Sequence, residues 1–332
     1  MYVINASTAD DVQAGVKFAR QHAVRLNVKS TGHGRSSIPG SLSIWTHHFR
    51  GMEFHQNYVP QGYNATLNGT QMAITFGAGV MDREAFEFAA GHDAVVVGGT
   101  DSTVGLVGWA GAGGHGYLTG VYGMGADNFL EATIVLPNGD IVVANEHLNA
   151  DVFWAVRGGG AGTWGVITSL TMKAYPMPST VFWSLTLSGG DSTTAAEWYQ
   201  SVAHVIADYS RLKENGLSGY LTLSGPPMSM TNAILAYDQS AEAIQEVAKP
   251  LTSWLKSQNS SIEVTSEIVP LGKWIDFYHM FNLTESVGGK SQAVSASRLL
   301  PARSFQDVDA LAECLSNIGP GTRESQVSPV IP

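Results

Sequence analysis

Cysteine is almost absent from this chain: Cys314 is the only one in 332 residues. No intrachain disulfide is possible, and no cysteine-based metal centre. Charge is also scarce, at 14% of residues, and the balance is acidic, with a net charge of −10 and a pI near 5.4. An acidic chain is a poor partner for a phosphate backbone, so nucleic-acid binding is not expected. No run of 18 apolar residues occurs, so no helical membrane span is predicted. The opening stretch, MYVINASTADDVQAGV, lacks the basic and apolar regions of a signal peptide. There is no Gly-Lys-Ser/Thr phosphate loop. No glycine loop sits between a strand and a helix as a nicotinamide fingerprint with an acid roughly 20 residues on.

What the chain does have is glycine, unevenly spread. Of 37 glycines, eleven fall between Gly98 and Gly125 and five between Gly158 and Gly165. After Pro176 they thin out, which marks a boundary. The first half needs backbone that approaches something closely. The second half reads as ordinary packed structure, and the 44% apolar content is ample for a large core. Five glycosylation sequons occur, at Asn5, Asn64, Asn68, Asn259 and Asn282. Chance would give roughly two or three. The excess fits a secretory history, and accident in a Ser/Thr-rich chain accounts for it equally well.

Periodicity places the elements. Residues 2–7 read as a strand leading to a helix capped by Ser7 or Thr8, with Val12, Val16 and Ala19 on its apolar face. Residues 24–30 alternate as a strand that delivers the chain to the loop STGHGRSS. In that loop His33 stands between Gly32 and Gly34, with no bulky neighbour in sequence to pack its ring. The bare backbone leaves N–H groups for something large and anionic. Strands are expected at 42–54, 71–80 and 94–99, a helix at 82–93, and a hairpin at 130–145 with a type I′ turn at Asn138-Gly139. The stretch 150–176 reads as helix, glycine loop and strand. Beyond Pro176, strands alternate with long amphipathic helices at 192–210 and 240–257, the second broken near Pro250. That pattern predicts an α+β sheet with helices on one face. His47 and His48 look metal-like, but adjacent residues on a strand point to opposite faces, so they are read as structural and no metal is expected.

Three stretches, VKSTGHGRSS, VVVGGTDSTVGLVGWAGAGGHGYLTG and DVFWAVRGGGAGTWGVIT, resemble in order and spacing the FAD-binding domain of vanillyl-alcohol-oxidase-type (PCMH-type) flavoproteins. The similarity is greatest to fungal berberine-bridge-enzyme-like oxidases. It implies an α+β fold: a two-subdomain FAD-binding domain over residues 1–176, then an α+β substrate domain over 177–332 whose antiparallel sheet is flanked by helices. It implies FAD as cofactor and a small organic substrate, with dioxygen as electron acceptor. Hydride would pass from an alcohol, sugar or metabolite C–H or C–N carbon to flavin N5.

Residue by residue, the resemblance assigns Ser30, Thr31, Gly32, His33, Gly34, Arg35 and Ser36 to the cofactor diphosphate, with His33 matching the histidine that tethers the flavin 8α-methyl. Gly98, Gly99, Thr100, Asp101, Thr103, Val104, Gly105 and Gly108 would line pyrophosphate and ring, with Gly113, Gly114, His115 and Gly116 close behind. Val166 and Ile167 would offer backbone to flavin or adenine. Trp164, on its apolar character, is read as core rather than as a redox partner. Two departures stand out. The first loop is about three residues shorter than in relatives. Asp101 stands at or beside the position where some relatives carry a second, cysteinyl tether, so any tether here would be single. The resemblance names no catalytic base in this chain, because relatives place theirs on the second domain and on a returning C-terminal segment. The tail SQVSPVIP shows no such segment, and the expectation is a truncated or reduced homologue. A flavin-binding protein without turnover is the alternative reading.

Overall fold

The computed structural model describes residues 2–34, 39–258, 261–281, 299–318 and 330–331. Arg35 and Ser36, and the sequons at Asn259 and Asn282, lie outside them. The chain forms two compact units, Met1–Met177 with Tyr278–Ala293, and Pro178–Phe277 with Val294–Pro332.

The first unit begins with β1 (Tyr2–Asn5), α1 (Ala9–Gln21), β2 (Leu26–Lys29) and β3 (Leu42–Trp45). The three strands form a parallel sheet in the order β1-β3-β2. Helix α1 starts where the sequence placed it. Thr8 is the N-cap, its hydroxyl accepting from Asp11 N–H while the Asp11 carboxylate accepts from Thr8 N–H. Val12, Val16 and Ala19 are buried on its inner face. A Cβ on Gly15 would come within 2.5 Å of Ile4 Cδ1, so the helix lies hard against the sheet.

The elements that follow are β4 (Met52–Tyr58), α2 (Ala65–Asn68), β5 (Gln71–Gly77), α3 (Asp82–Ala90), β6 (Ala94–Val95), α4 (Leu106–Gly111) and α5 (Thr119–Tyr122). Then come β7 (Phe129–Val135), β8 (Ile141–Ala144), α6 (Ala150–Val156), β9 (Val166–Lys173) and β10 (Tyr175–Pro176). An antiparallel sheet runs β4-β5-β9-β7-β8, and β6 pairs with β10. Ala6, Val12, Val16, Ile44, Val135 and Val166 share one buried cluster, which joins the parallel sheet to the antiparallel one.

Two expectations need correction here. The β7–β8 turn is not type I′, which requires positive φ at both central residues. Only Gly139 has it, at 92°. Leu136 N–H donates to Asp140 O and Gly139 N–H to Leu136 O, both at 2.8 Å. Pro137, with its φ fixed near −65° by its ring, sets a type I turn, and Gly139 closes it as a bulge residue. His47 and His48 lie in a turn after β3, not on a strand; the Trp45 ring stacks on His47 at 4.9 Å. Desolvation, then Arg50 and His48, lowers the His47 pKa.

The second unit contains β11 (Ser179–Gly189), α7 (Ala195–Ala207), α8 (Tyr209–Glu214), β12 (Leu217–Ser224), β13 (Ser229–Tyr237), α9 (Ala241–Ser257) and β14 (Ile262–Lys273). It also holds α11 (Val308–Ile318) and β15 (Val330–Ile331), while α10 (Trp274–Met280) spans the division between the units. Its antiparallel sheet runs β14-β11-β13-β12-β15. The odd-numbered positions Val181, Trp183, Leu185 and Leu187 of β11 face a core shared with Trp198, Val202 and Leu251 of the helices. The expected break at Pro250 does not occur, and α9 runs through it. Ile244, Ala248, Leu251 and Leu255 are buried on one face on both sides of the proline. That packing outweighs the roughly 3 kcal/mol that an interior proline costs an isolated helix. Among the described residues, no helix is long and apolar enough to cross a membrane.

Candidate cofactor site

β2 delivers the chain to the first glycine loop, and its neighbour β3 fixes where that loop starts. Trp45 Nε1 donates to Ser30 O at 2.8 Å, and Thr46 N–H donates to Lys29 O at 2.9 Å. Gly32 has φ 120°, a conformation that L side chains rarely adopt. Its sequence neighbours give His33 nothing to pack on, but the second glycine loop does. His33 Nε2 lies 2.7 Å from Thr103 Oγ1 and 3.6 Å from Asp101 Oδ1. Thr103 donates from both its N–H and its hydroxyl to Asp101 Oδ1, each at 2.9 Å.

The second loop is lashed to α3. Asp82 N–H donates to Val104 O at 2.9 Å and Arg83 N–H to Ser102 O at 3.1 Å, while Leu106 N–H donates to Val80 O at 3.1 Å. Gly105 presses on the first loop, where a Cβ would sit 2.9 Å from Ser30 Oγ and 3.6 Å from Thr31 Oγ1. Thr100 is half-buried between Gly99 and Asp101. Gly98 and Gly99 back onto the first unit's core, since a Cβ would strike the Phe86 ring at 2.4 Å and Asp82 Oδ2 at 2.7 Å.

The glycines further on serve the protein's own packing. A Cβ on Gly114 would meet the Trp109 ring at 2.7 Å, and one on Gly116 would meet Gly98 O at 1.9 Å. Gly113 and Gly114 take φ of 106° and 66°. His115 is exposed, and its carbonyl accepts from Trp109 Nε1 at 3.1 Å.

The third glycine loop meets the end of α4 and the strand that leads into the first loop. Gly160 N–H donates to Gly111 O at 3.3 Å, and a Cβ on Gly162 would come 3.3 Å from Val28 Cβ. Val166 and Ile167 open β9, buried and paired with Val135 and Ile134. Trp164 is not core: it is 48% exposed, its Nε1 donating to Gly159 O at 3.1 Å. The loop turns it outward, beside the exposed Trp154, along a cleft of about 500 Å³.

Two residues that carry no sequence signal also belong here. Asp82, in sequence only the first residue of an expected helix, is fully buried; Oδ2 accepts from Gly99 N–H at 2.8 Å, and Oδ1 has no partner among the described residues. Burial pushes its carboxyl well above the usual carboxylate range. Tyr278 packs edge-on against Phe86 at 5.1 Å, and burial pushes its phenol up to about 12. Nothing in the sequence links residue 278 to residue 86, because the chain between them contains most of the second unit.

These loops fit a large anionic cofactor. Ser30 Oγ is buried without a partner among the described residues. At Gly34 and Gly108 an added Cβ would meet nothing within 4 Å, so backbone there faces open space. Among the described residues, no group of three or more His, Cys, Asp or Glu is arranged to hold a metal ion.

Comparison with known proteins agrees with this geometry. Residues 1–145 match the FAD binding domain family. An FAD-linked oxidoreductase, OXR2, of Pyricularia oryzae is 34% identical over 315 residues, covering 93% of this chain and 51% of the relative. The FAD-linked oxidoreductase easE of Arthroderma benhamiae is 34% identical over 279 residues, 81% of this chain and 55% of the relative. This chain thus spans about half the length of the curated relatives it matches. The crystal structure of the VAO-type flavoprotein MtVAO713 from Myceliophthora thermophila superposes with a TM-score of 0.90 at 29% identity, covering 98% of this chain and 60% of that one. A chitooligosaccharide oxidase shares the fold at 19% identity, with a TM-score of 0.71 over 98% of this chain and 67% of that one. Residues 1–145 thus carry the FAD-binding domain of the PCMH-type, vanillyl-alcohol-oxidase-type flavoproteins.

Proposed function

We propose that this protein is an FAD-linked oxidoreductase acting as an oxidase on a small organic substrate. The observation that carries the reading is the convergence of the first two glycine loops, His33 lying against Thr103 and Gly105 against Ser30, within a domain matched to FAD binding. When bound, FAD supplies the hydride acceptor at N5 and returns the electrons to dioxygen. The chain's own residues bind and orient. Backbone N–H groups of Ser30–Gly34 would take the diphosphate, and Thr103–Gly105 with Gly108 would flank it. Val166 and Ile167 would offer backbone to the adenine or flavin. His33 would be the single tether to the 8α-methyl, Asp101 being unable to make the second bond that a thiolate makes. The substrate class stays broad, an alcohol, a sugar or a metabolite C–H or C–N carbon.

The test is an absorbance spectrum of the purified protein before and after acid precipitation. Yellow protein with flavin in the pellet supports FAD and the tether together. His33→Ala should release flavin into the supernatant while the protein still folds, because His33 lies in a loop outside the buried hydrophobic core. Protein that stays colourless after incubation with FAD would sink the reading. Anaerobic bleaching by candidate alcohols and sugars separates an oxidase from a flavin carrier without turnover.

A further inference from the structure

We propose that Asp101 and Thr103 are positioning residues that hold His33 as its Nε2–H tautomer and leave Nδ1 as the ring's lone-pair nitrogen. The Thr103 hydroxyl has one hydrogen and two neighbours, Asp101 Oδ1 at 2.9 Å and His33 Nε2 at 2.7 Å. An ionised carboxylate only accepts. The hydroxyl hydrogen therefore goes to Asp101, and the hydroxyl oxygen is left to accept. Nε2 must then carry a hydrogen, and in the neutral ring Nδ1 does not. The carboxylate is fixed independently of the histidine, because Thr103 N–H also donates to Oδ1, closing an Asx-type turn over Asp101-Ser102-Thr103. Asp101 Oδ1 is also 3.6 Å from Nε2, and the two side chains are only 18% and 24% exposed, so water screens the pair incompletely.

The functional consequence rests on the flavin reading above. A histidine that bonds through Nδ1 while keeping Nε2–H becomes cationic, and Asp101 balances that charge through Thr103. In tether formation Nδ1 would bond the 8α carbon as that carbon gives a proton to solvent, and the C–H electron pair would reduce the flavin, which dioxygen reoxidises. Asp101 thus takes, by electrostatics, a position from which some relatives make a second bond.

The tautomer is read by nitrogen–proton correlation NMR on the full chain, labelled at histidine nitrogen and prepared free of flavin from riboflavin-starved cells. His33→Ala identifies the signal among the ten histidines. The wild type should show a bare Nδ1 and a protonated Nε2 at His33. Thr103→Val should mix the tautomers, and Thr103→Ser should restore the wild-type pattern. A protonated Nδ1 in the wild type, or a pattern indifferent to Thr103→Val, overturns the proposal. At saturating FAD, Asp101→Asn should form acid-stable flavin at least tenfold more slowly. A rate within twofold of wild type overturns the role of Asp101. Because the tautomer is measured without flavin, its failure is distinguishable from failure of the tether: flavin that stays acid-labile in a wild type with the expected tautomer removes the tether and leaves the assignment standing.

Discussion

Glu131 shows how much one buried carboxylate can organise. It lies on β7, and its two oxygens accept from Tyr58 Oη at 2.9 Å, Gln61 N–H at 2.7 Å and Asn145 Nδ2 at 2.8 Å. It thereby ties the end of β4 and the segment after β8 to β7. Glu131→Ala would strand three donors, and should lower stability by about 3 kcal/mol on the usual cost of unsatisfied buried groups; urea unfolding measures it. Asp82 behaves in the opposite sense. Its carboxyl is raised by burial, so the fold prefers the protonated form. That preference contributes stability fully at pH below the unfolded pKa near 3.9 and loses it as pH rises towards the folded pKa. Asp82→Asn keeps an oxygen for Gly99 N–H and carries no charge to bury. Its stability relative to wild type should therefore rise between pH 4 and pH 8. A difference that stays flat across parallel urea titrations at those pH values would show that the carboxyl is not held protonated.

Among the elements, α1 is the most locally specified. Thr8→Ala removes one half of its capping box and should cost about 1 kcal/mol, which a thermal or urea midpoint resolves. Hydrogen bonds from Ser7 and Thr8 lower the Asp11 pKa, so the cap's contribution is present above the unfolded carboxylate pKa and fades as pH falls through the lowered one. Elements of this kind were legible in the sequence, since caps, apolar spacing and glycine stops are local signals. Thr8 and the face of Val12, Val16 and Ala19 stand where expected. The misses share another cause. The proline in α9 was read by its local propensity, while packing on both sides of it decided the outcome. The hairpin was read from Asn138-Gly139 alone, while Pro137 set the turn. Trp164 was assigned inward by its apolar character, while a glycine loop turned it out. Asp82 and Tyr278 join the site by contacts far apart in sequence, which no local pattern encodes.

At the level of the whole molecule the two units carry separate cores. Leu185 is fully buried in the second, where Leu185→Ala should cost about 3 kcal/mol through transfer and cavity terms. If the flavin site belongs to the first unit, that variant should keep the wild-type Kd for FAD. FAD at a hundred times its Kd should stabilise the first unit by about 2.7 kcal/mol. Calorimetry with and without FAD, together with a flavin titration of the variant, tests both; a weakened Kd would mean that the second core helps to shape the site. The bond between Gly160 N–H and Gly111 O, and the seat of Gly162 on Val28, bear on the order of events during synthesis. The strand that feeds the loop beginning at residue 30 cannot complete its packing until residue 162 has left the ribosome, and β9 has yet to thread between β5 and β7. Contacts of such long sequence separation form late and slowly. A nascent chain would therefore pass the synthesis of its first 173 residues unable to hold flavin, and vitamin supply would act on the finished domain rather than on its growing N-terminus.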